Sequence, residues 1–318
     1  MLVERVAAFV RGESGESFEK LALAVFRRQY ERPGPFRDLC DQRGATPERI
    51  ADWRGVPALP IADLAPAAEG SQPLDDTTLG ALERAVIDRS FPSACLEDLD
   101  RPPVLSLIPP TETPRGCGPG SWADHVLDAW AAPDSLVGVA TRGVEVAKSR
   151  SFLAARQRDR RPTLLLADGA NLDRLLEALD RRGLRFRLPP GSRVAIDGGS
   201  ATGGQELLAR LADALAVPAD GVVRQYGVGR MVSRFYAGHS RRGELRPFRP
   251  PPWARVRVLE PESLAEAPAG AAGLLSVYDL AGLGSAPHLL TGDVAVGAED
   301  GFRLAGDATS PSDGPADR

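Results

Sequence analysis

Apolar residues recur at helical spacing early in the chain. Phe18, Leu21, Ala22, Val25 and Phe26 predict an amphipathic helix over 18–29, and Phe36, Leu39 and Cys40 predict a shorter one after Pro33-Gly34-Pro35. The stretch 56–73 is rich in Pro, Ala, Gly and Asp without a sustained period and reads as a connection; a further helix is expected over 79–87. From residue 104 the pattern alternates. Apolar runs at 104–108, 136–140, 163–167 and 193–196 predict strands, while helical periods fit 122–130, 171–182 and 205–215. Strands alternating with helices imply a layered α/β domain whose sheet is largely parallel. After residue 222 the pattern turns β-rich, with strands expected at 232–236, 254–259, 273–278 and 288–291.

These patterns divide the chain into an N-terminal helical region (1–60), an α/β core (61–225), a β-rich subdomain (226–306) and a disordered tail (307–318) that lacks apolar residues. A chain of 318 residues with 43% hydrophobic content can bury a substantial core. The net charge of −4 is spread over 43 acidic and 39 basic side chains, so neither a nucleic-acid face nor a membrane-binding face is expected. The arginines at 158–161 and at 241–242 read as solvated helix ends or loops. Glu4 and Arg5 interrupt any signal-peptide core, and no run approaches about 18 apolar residues, which predicts a cytoplasmic protein with no membrane span. Cys40, Cys95 and Cys117 show no C-x-x-C spacing, so neither a disulfide framework nor a metal site is expected. Cys40 reads as core filler and Cys95 as part of a polar turn. Cys117, in a Gly-rich loop before a helix, is either a reactive thiol or part of a flexible turn.

Common catalytic devices are missing: there is no G-x-S-x-G elbow, no G-x-x-x-x-G-K-[ST] loop and no H-E-x-x-H. Ser121, Asp124 and His125 lie close together in sequence, but Ser121 reads as a helix N-cap rather than a nucleophile. No catalytic residue is assigned. A different signal is distributed along the chain. Phe18-Glu19-Lys20-Leu21 through Tyr30, Phe36-Arg37-Asp38-Leu39-Cys40 and Val56-Pro57-Ala58-Leu59-Pro60-Ile61 come first. Pro189-Pro190-Gly191-Ser192-Arg193-Val194 leads to Asp197-Gly198-Gly199, and Arg224-Gln225-Tyr226-Gly227-Val228-Gly229-Arg230 follows. Pro251-Pro252-Trp253, Tyr278-Asp279-Leu280-Ala281 and Thr291-Gly292-Asp293 complete the series. In order and spacing, over roughly 18–306, this set resembles the acyl-protein synthetase family, the bacterial luciferin-component ligases of the adenylate-forming superfamily.

The resemblance implies an adenylate-forming-enzyme-like α/β fold with a β-rich C-terminal subdomain. It also implies a chemistry in which ATP and Mg2+ convert a carboxylic (fatty) acid to an acyl-adenylate and the acyl group passes to a thiol. Implied partners are a fatty-acid reductase and an acyl-transferase or carrier protein. By position, Tyr226 matches the aromatic that stacks on adenine, and Gly198 and Gly199 match a turn whose backbone approaches the nucleotide. Asp293 matches the carboxylate that accepts the ribose hydroxyls. Gly227 and Arg230 fall in the same nucleotide motif. Three departures stand out. No Ser/Thr-Gly-Thr-Thr-Gly loop occurs over 65–78, Gly229-Arg230 replaces the family's Thr-Glu, and the acceptor Arg-Gly-Cys segment is missing from the C-terminal stretch. A guanidinium does not ligate a metal as a carboxylate does, although it can meet a phosphate directly. The expectation is a divergent member, a pseudoenzyme candidate with impaired or lost ligase activity. The alternatives are an active acid-thiol or acid-amine ligase with a rebuilt phosphate site, and a non-catalytic interaction subunit.

Overall fold

The computed structural model describes residues 1–64, 76–110, 119–198, 204–228 and 231–305. Helices α1 (Leu2–Arg11), α2 (Phe18–Tyr30) and α3 (Pro35–Gln42) lead to strand β1 (Leu59–Pro60) and helix α4 (Asp76–Phe91). Strand β2 (Val104–Ser106) and helix α5 (Pro119–Trp130) precede the short strands β3 (Leu136–Val137), β4 (Val139–Ala140) and β5 (Gly143–Val144). Helix α6 (Val146–Asp159), strand β6 (Leu164–Asp168), helix α7 (Gly169–Asp180), strand β7 (Arg193–Asp197), helix α8 (Gln205–Leu215) and strand β8 (Val222–Tyr226) then alternate. The chain continues with β9 (Phe235–Gly238), β10 (Ala254–Leu259), β11 (Ala272–Asp279), β12 (His288–Ala298) and β13 (Gly301–Leu304). This is the α/β architecture with a β-rich C-terminal region that the sequence pattern implies.

The chain forms two compact units. Among the described residues, one comprises those within 1–90, 227–235 and 249–305; the other comprises those within 91–226 and 236–248. In the second, a six-stranded sheet has the order β3-β2-β6-β7-β8-β9, and β3, β2, β6, β7 and β8 run parallel. Leu165, Ala167, Val194, Ile196 and Val222 on one sheet face meet Leu172, Leu175, Leu176 and Leu179 of α7 and Leu207, Leu208, Leu211 and Leu215 of α8. Each such leucine, removed from water, contributes roughly 1.5–3 kcal/mol. Asp168 starts α7 by accepting the backbone N–H of Asn171 at 2.7 Å, the side-chain cap that an Asp-Gly-Ala-Asn stretch before an apolar period favours.

In the first unit, β10, β11, β12 and β13 pair antiparallel, and β1 adds in parallel to β12 with Leu59 opposite Leu289. The stretch 56–73 is therefore not wholly a connection: Leu59-Pro60 completes a sheet edge. The helices dock through aromatics. Phe18 packs edge-on against Trp53 and Tyr278 at centroid distances of 5.7 and 5.9 Å, and the Tyr278 hydroxyl donates to the Ala22 carbonyl at 2.7 Å. Cys40 is buried core as expected, and burial pushes its thiol up to about 12. Cys95 overturns its sequence reading: it is fully buried in a π-helical turn (Pro92–Leu96) that extends α4, and burial raises its pKa. Ser121 is also reassigned, because α5 begins at Pro119 and Ser121 lies inside its first turn. Cys117 and the C-terminal tail fall outside the described residues. Among the described residues no helix is long and apolar enough to cross a membrane.

Candidate functional site

In open parallel sheets, ligands bind in the crevice beyond the carboxyl ends of the strands, where the helix N-termini and variable loops gather. The carboxyl edge of β6, β7 and β8 carries a polar row. Asp168 lies in register with Asp197, and Asp197 with Gln225. Because side chains alternate along a strand, and Val194 and Ile196 face the α7–α8 core, Asp197 and its row neighbours project from the opposite face. Gln225 is 1% exposed; its Nε2 donates to Asp197 Oδ1 at 3.0 Å, while its Oε1 is buried with no hydrogen-bond partner among the described residues. A buried amide oxygen left unpaired forfeits about 1–3 kcal/mol, and a further donor reaching it would recover that cost.

Gly198 directly follows β7 with φ +134°, a conformation suited to glycine, and its N–H donates to the Gln225 carbonyl at 3.3 Å. This bond brings Gly198 beside the end of β8, where Tyr226 is the last strand residue. The structure thus brings Gly198 and Tyr226 near one another at the carboxyl edge of the sheet. Tyr226, however, is only 1% exposed and its ring packs on Phe248 at 5.8 Å. Gly227 and Asp293 belong to the other compact unit. A Cβ on Gly227 would press into the Arg234 side chain, whose Cδ would lie 2.8 Å away. Asp293 is half-buried on β12, and its N–H donates to Thr291 Oγ1 at 3.2 Å. Gly199 and Arg230 lie outside the described residues.

The sequence reading assigned no role to Asp168, Asp197, Gln225 or Asp279. Asp279, at the end of β11, is fully buried and accepts from Ser233 Oγ at 2.7 Å, Ser233 N–H at 3.0 Å and Ala281 N–H at 2.9 Å. Trp253 Nε1 donates in turn to Ser233 Oγ at 2.9 Å. Burial raises the Asp279 pKa and the donated hydrogen bonds oppose the rise. Its effect is positional, fixing the chain at Ser233 soon after the Tyr226 motif. The signal for it was the Tyr278-Asp279 pair within the motif series, but a sequence does not reveal where a carboxylate finds its donors.

ATP fits the described residues only in part. The Asp293 carboxylate has the acceptor chemistry a ribose diol needs, whereas the Tyr226 ring is covered by protein. No three His, Cys, Asp or Glu side chains among the described residues come together as a metal site.

No family model matches the chain, and no curated protein matches it. Solved structures do. An open conformation of 2-hydroxyisobutyryl-CoA ligase in complex with 2-HIB-AMP and CoA shares 12% identity at a TM-score of 0.62, over 91% of this chain and 73% of that one. The postadenylation state of the same ligase with 2-HIB-AMP gives 13% identity and a TM-score of 0.63, over 91% and 66%. The amide bond synthetase McbA from Marinactinospora thermotolerans shares 18% identity at a TM-score of only 0.45, and this chain spans 44% of its length. The likeness to the CoA ligase establishes the architecture: across nine-tenths of its length, the chain has the fold of an adenylate-forming ligase.

Proposed function

We propose that the protein is a divergent member of the adenylate-forming ligases, related to the acyl-protein synthetases, whose ability to activate a carboxylic acid with ATP is impaired or lost. The observation that carries this reading is Tyr226. It sits at the end of β8 where the adenine-stacking aromatic is expected, yet it is 1% exposed and packed on Phe248. A purine needs a free ring face, and a core aromatic does not offer one. The sequence supports the same reading, because 65–78 contains no Ser/Thr-Gly-Thr-Thr-Gly stretch to cradle a triphosphate. ATP, when bound by such a scaffold, supplies the AMP that activates the acid and the pyrophosphate that leaves. On the protein side, Asp293 is the residue to hold the ribose.

The row of Asp168, Asp197 and Gln225 favours retained binding of a small polar molecule over a purely structural role. Its acceptors outnumber its donors, and Gln225 Oε1 lacks a partner among the described residues. Acyl transfer to a thiol, and partnership with a reductase, acyl-transferase or carrier protein, belong to the ancestral activity in this reading.

Pyrophosphate exchange into ATP, measured across straight-chain acids from acetate to palmitate and the standard amino acids, is expected to stay at the acid-free background. Acid-dependent exchange that Asp293→Ala abolishes would instead establish an active ligase and overturn the reading.

A further inference from the structure

A groove of about 660 Å³ opens in the unit that holds the parallel sheet. Its floor includes Pro109, just beyond the carboxyl end of β2. One wall is the β4–β5 hairpin, whose two-residue turn is Thr141-Arg142, and the other is the side of α7 that presents Asn171, Arg174 and Arg181. Among the described residues, three guanidiniums line it and no carboxylate does.

Two features make this more than a chance cluster of surface arginines. The first is that Arg174 is held. Its Nη1 donates to Asn171 Oδ1 at 3.1 Å, and Asn171, only 6% exposed, is itself fixed by donating from Nδ2 to the Leu107 carbonyl at 2.9 Å and to Asp168 Oδ2 at 2.7 Å. The second is that neighbouring acids are drawn elsewhere. Asp173 pairs with Arg210 at 2.7 Å, Asp180 with Arg185 at 2.8 Å and Glu145 with Lys148 at 2.9 Å, while Glu177 reaches Arg181 only at 4.0 Å. Among the described residues, Arg142 and Arg174 have no carboxylate within 4.0 Å. A concave site with three cations, of which only Arg181 reaches a carboxylate and that at 4.0 Å, is complementary to a multiply charged anion. Guanidinium forks match phosphate oxygens in particular.

We propose that the Arg142–Arg174–Arg181 groove binds a phosphate ester. The volume lies within the range of small-molecule sites, about 300–1,000 Å³. The same chemistry could arrive on a soluble nucleotide or on a phosphopantetheine arm. Binding at this groove requires no ATP turnover, so it stands or falls apart from the ligase reading above.

The test is calorimetry at low ionic strength with adenosine 3′,5′-bisphosphate, 4′-phosphopantetheine and, as a neutral control, adenosine. At least one phosphate ester is expected to bind ten or more times more tightly than adenosine, and added salt is expected to weaken it. The double variant Arg142→Gln/Arg174→Gln is expected to lose at least tenfold in affinity. Arg158→Gln, which removes one exposed charge from α6 outside the groove, is expected to leave it unchanged. The targeted arginines are exposed, so the fold is expected to survive, and circular dichroism checks this. Preference for the bisphosphate assigns a nucleotide, and preference for phosphopantetheine assigns the arm. Equal affinity for adenosine, no binding of either ester, or esters that bind the double variant as tightly as wild type would overturn the proposal.

Discussion

His288 is buried as a neutral base in the first unit. Its Nδ1 lies 2.7 Å from the Val56 carbonyl, which only accepts, so Nδ1 carries the proton; Nε2 therefore accepts from Ser276 Oγ at 2.8 Å. Trp53 and Tyr278 close over the ring at centroid distances of 6.2 and 5.4 Å. Burial pushes its pKa down from 6.5 to about 4. The unfolded chain therefore binds the proton more readily than the folded one between those values. The stabilisation is complete above pH 6.5 and is lost as the pH falls towards 4, an effect of order 3 kcal/mol. Asp279, whose pKa burial raises, acts in the opposite sense, adding stability at low pH that fades as the pH rises through its folded value. Comparing wild type with His288→Asn separates the two. Urea unfolding is expected to show a stability gap between the proteins that is larger at pH 7 than at pH 4.5, and a gap that stays constant would exclude the histidine as the source.

At the scale of elements, β12 shows how a motif residue is aimed. Val294 pairs with Leu274 and Leu290 with Ser276, so Leu275 alone faces Thr291, Gly292 and Asp293 in a bulge. Gly292 adopts φ +81°, and Thr291 Oγ1 closes the bulge by donating to the Leu275 carbonyl at 3.0 Å. A Cβ on Gly292 would meet no atom within 4 Å, so Gly292→Ala tests backbone conformation alone. It is expected to reduce unfolding free energy by about 1–2 kcal/mol, whereas Gly297→Ala on the same strand, with no positive φ and only a 4.0 Å contact to Val258, is expected to be near neutral. Equal effects in chemical denaturation would remove the bulge as the cause. The same glycine explains a misread boundary. The expected strand stopped at Thr291 because Gly292-Asp293 interrupts the apolar run, yet β12 continues to Ala298. Where one face alone meets the core, periodicity worked: β10 runs over the expected 254–259 and α8 over 205–215. It failed for α6, where Lys148, Arg150, Arg156 and Arg158 dilute the apolar face, and for 232–236, where the strand begins only at Phe235. Gly138 splits the 136–140 run into two strands; a Cβ there would lie 2.6 Å from Ser149 Oγ.

Over the whole molecule, the alternation of strands and helices followed by a β-rich stretch was legible in the sequence, and the fold agrees with it. Burial was not legible. Nothing in Arg224-Gln225-Tyr226 tells that the tyrosine packs on Phe248 or that the glutamine keeps an unpaired oxygen, since both depend on residues distant in sequence. The division into units is likewise a property of contacts. The unit carrying the parallel sheet is nearly continuous, and all six strands of its sheet, with α7 and α8, fall within 91–248. The other is assembled from three segments. Its N-terminal segment relies on partners far along the chain: Leu59 pairs with Leu289, Gln29 Nε2 donates to the Leu283 carbonyl at 2.6 Å, and Ala22 receives the Tyr278 hydroxyl. Removed from them, Phe18 and Trp53 lose the surface that buries them, and isolated helices of this length are marginal in water. A fragment comprising 91–248 is therefore expected to show α/β circular dichroism and a cooperative urea transition. Residues 1–90 alone are expected to show no cooperative transition, and to gain one when 249–305 is co-expressed with them. A sharp transition in 1–90 by itself, or none in 91–248, would mean that the contacts dividing the chain do not set the units in which it folds.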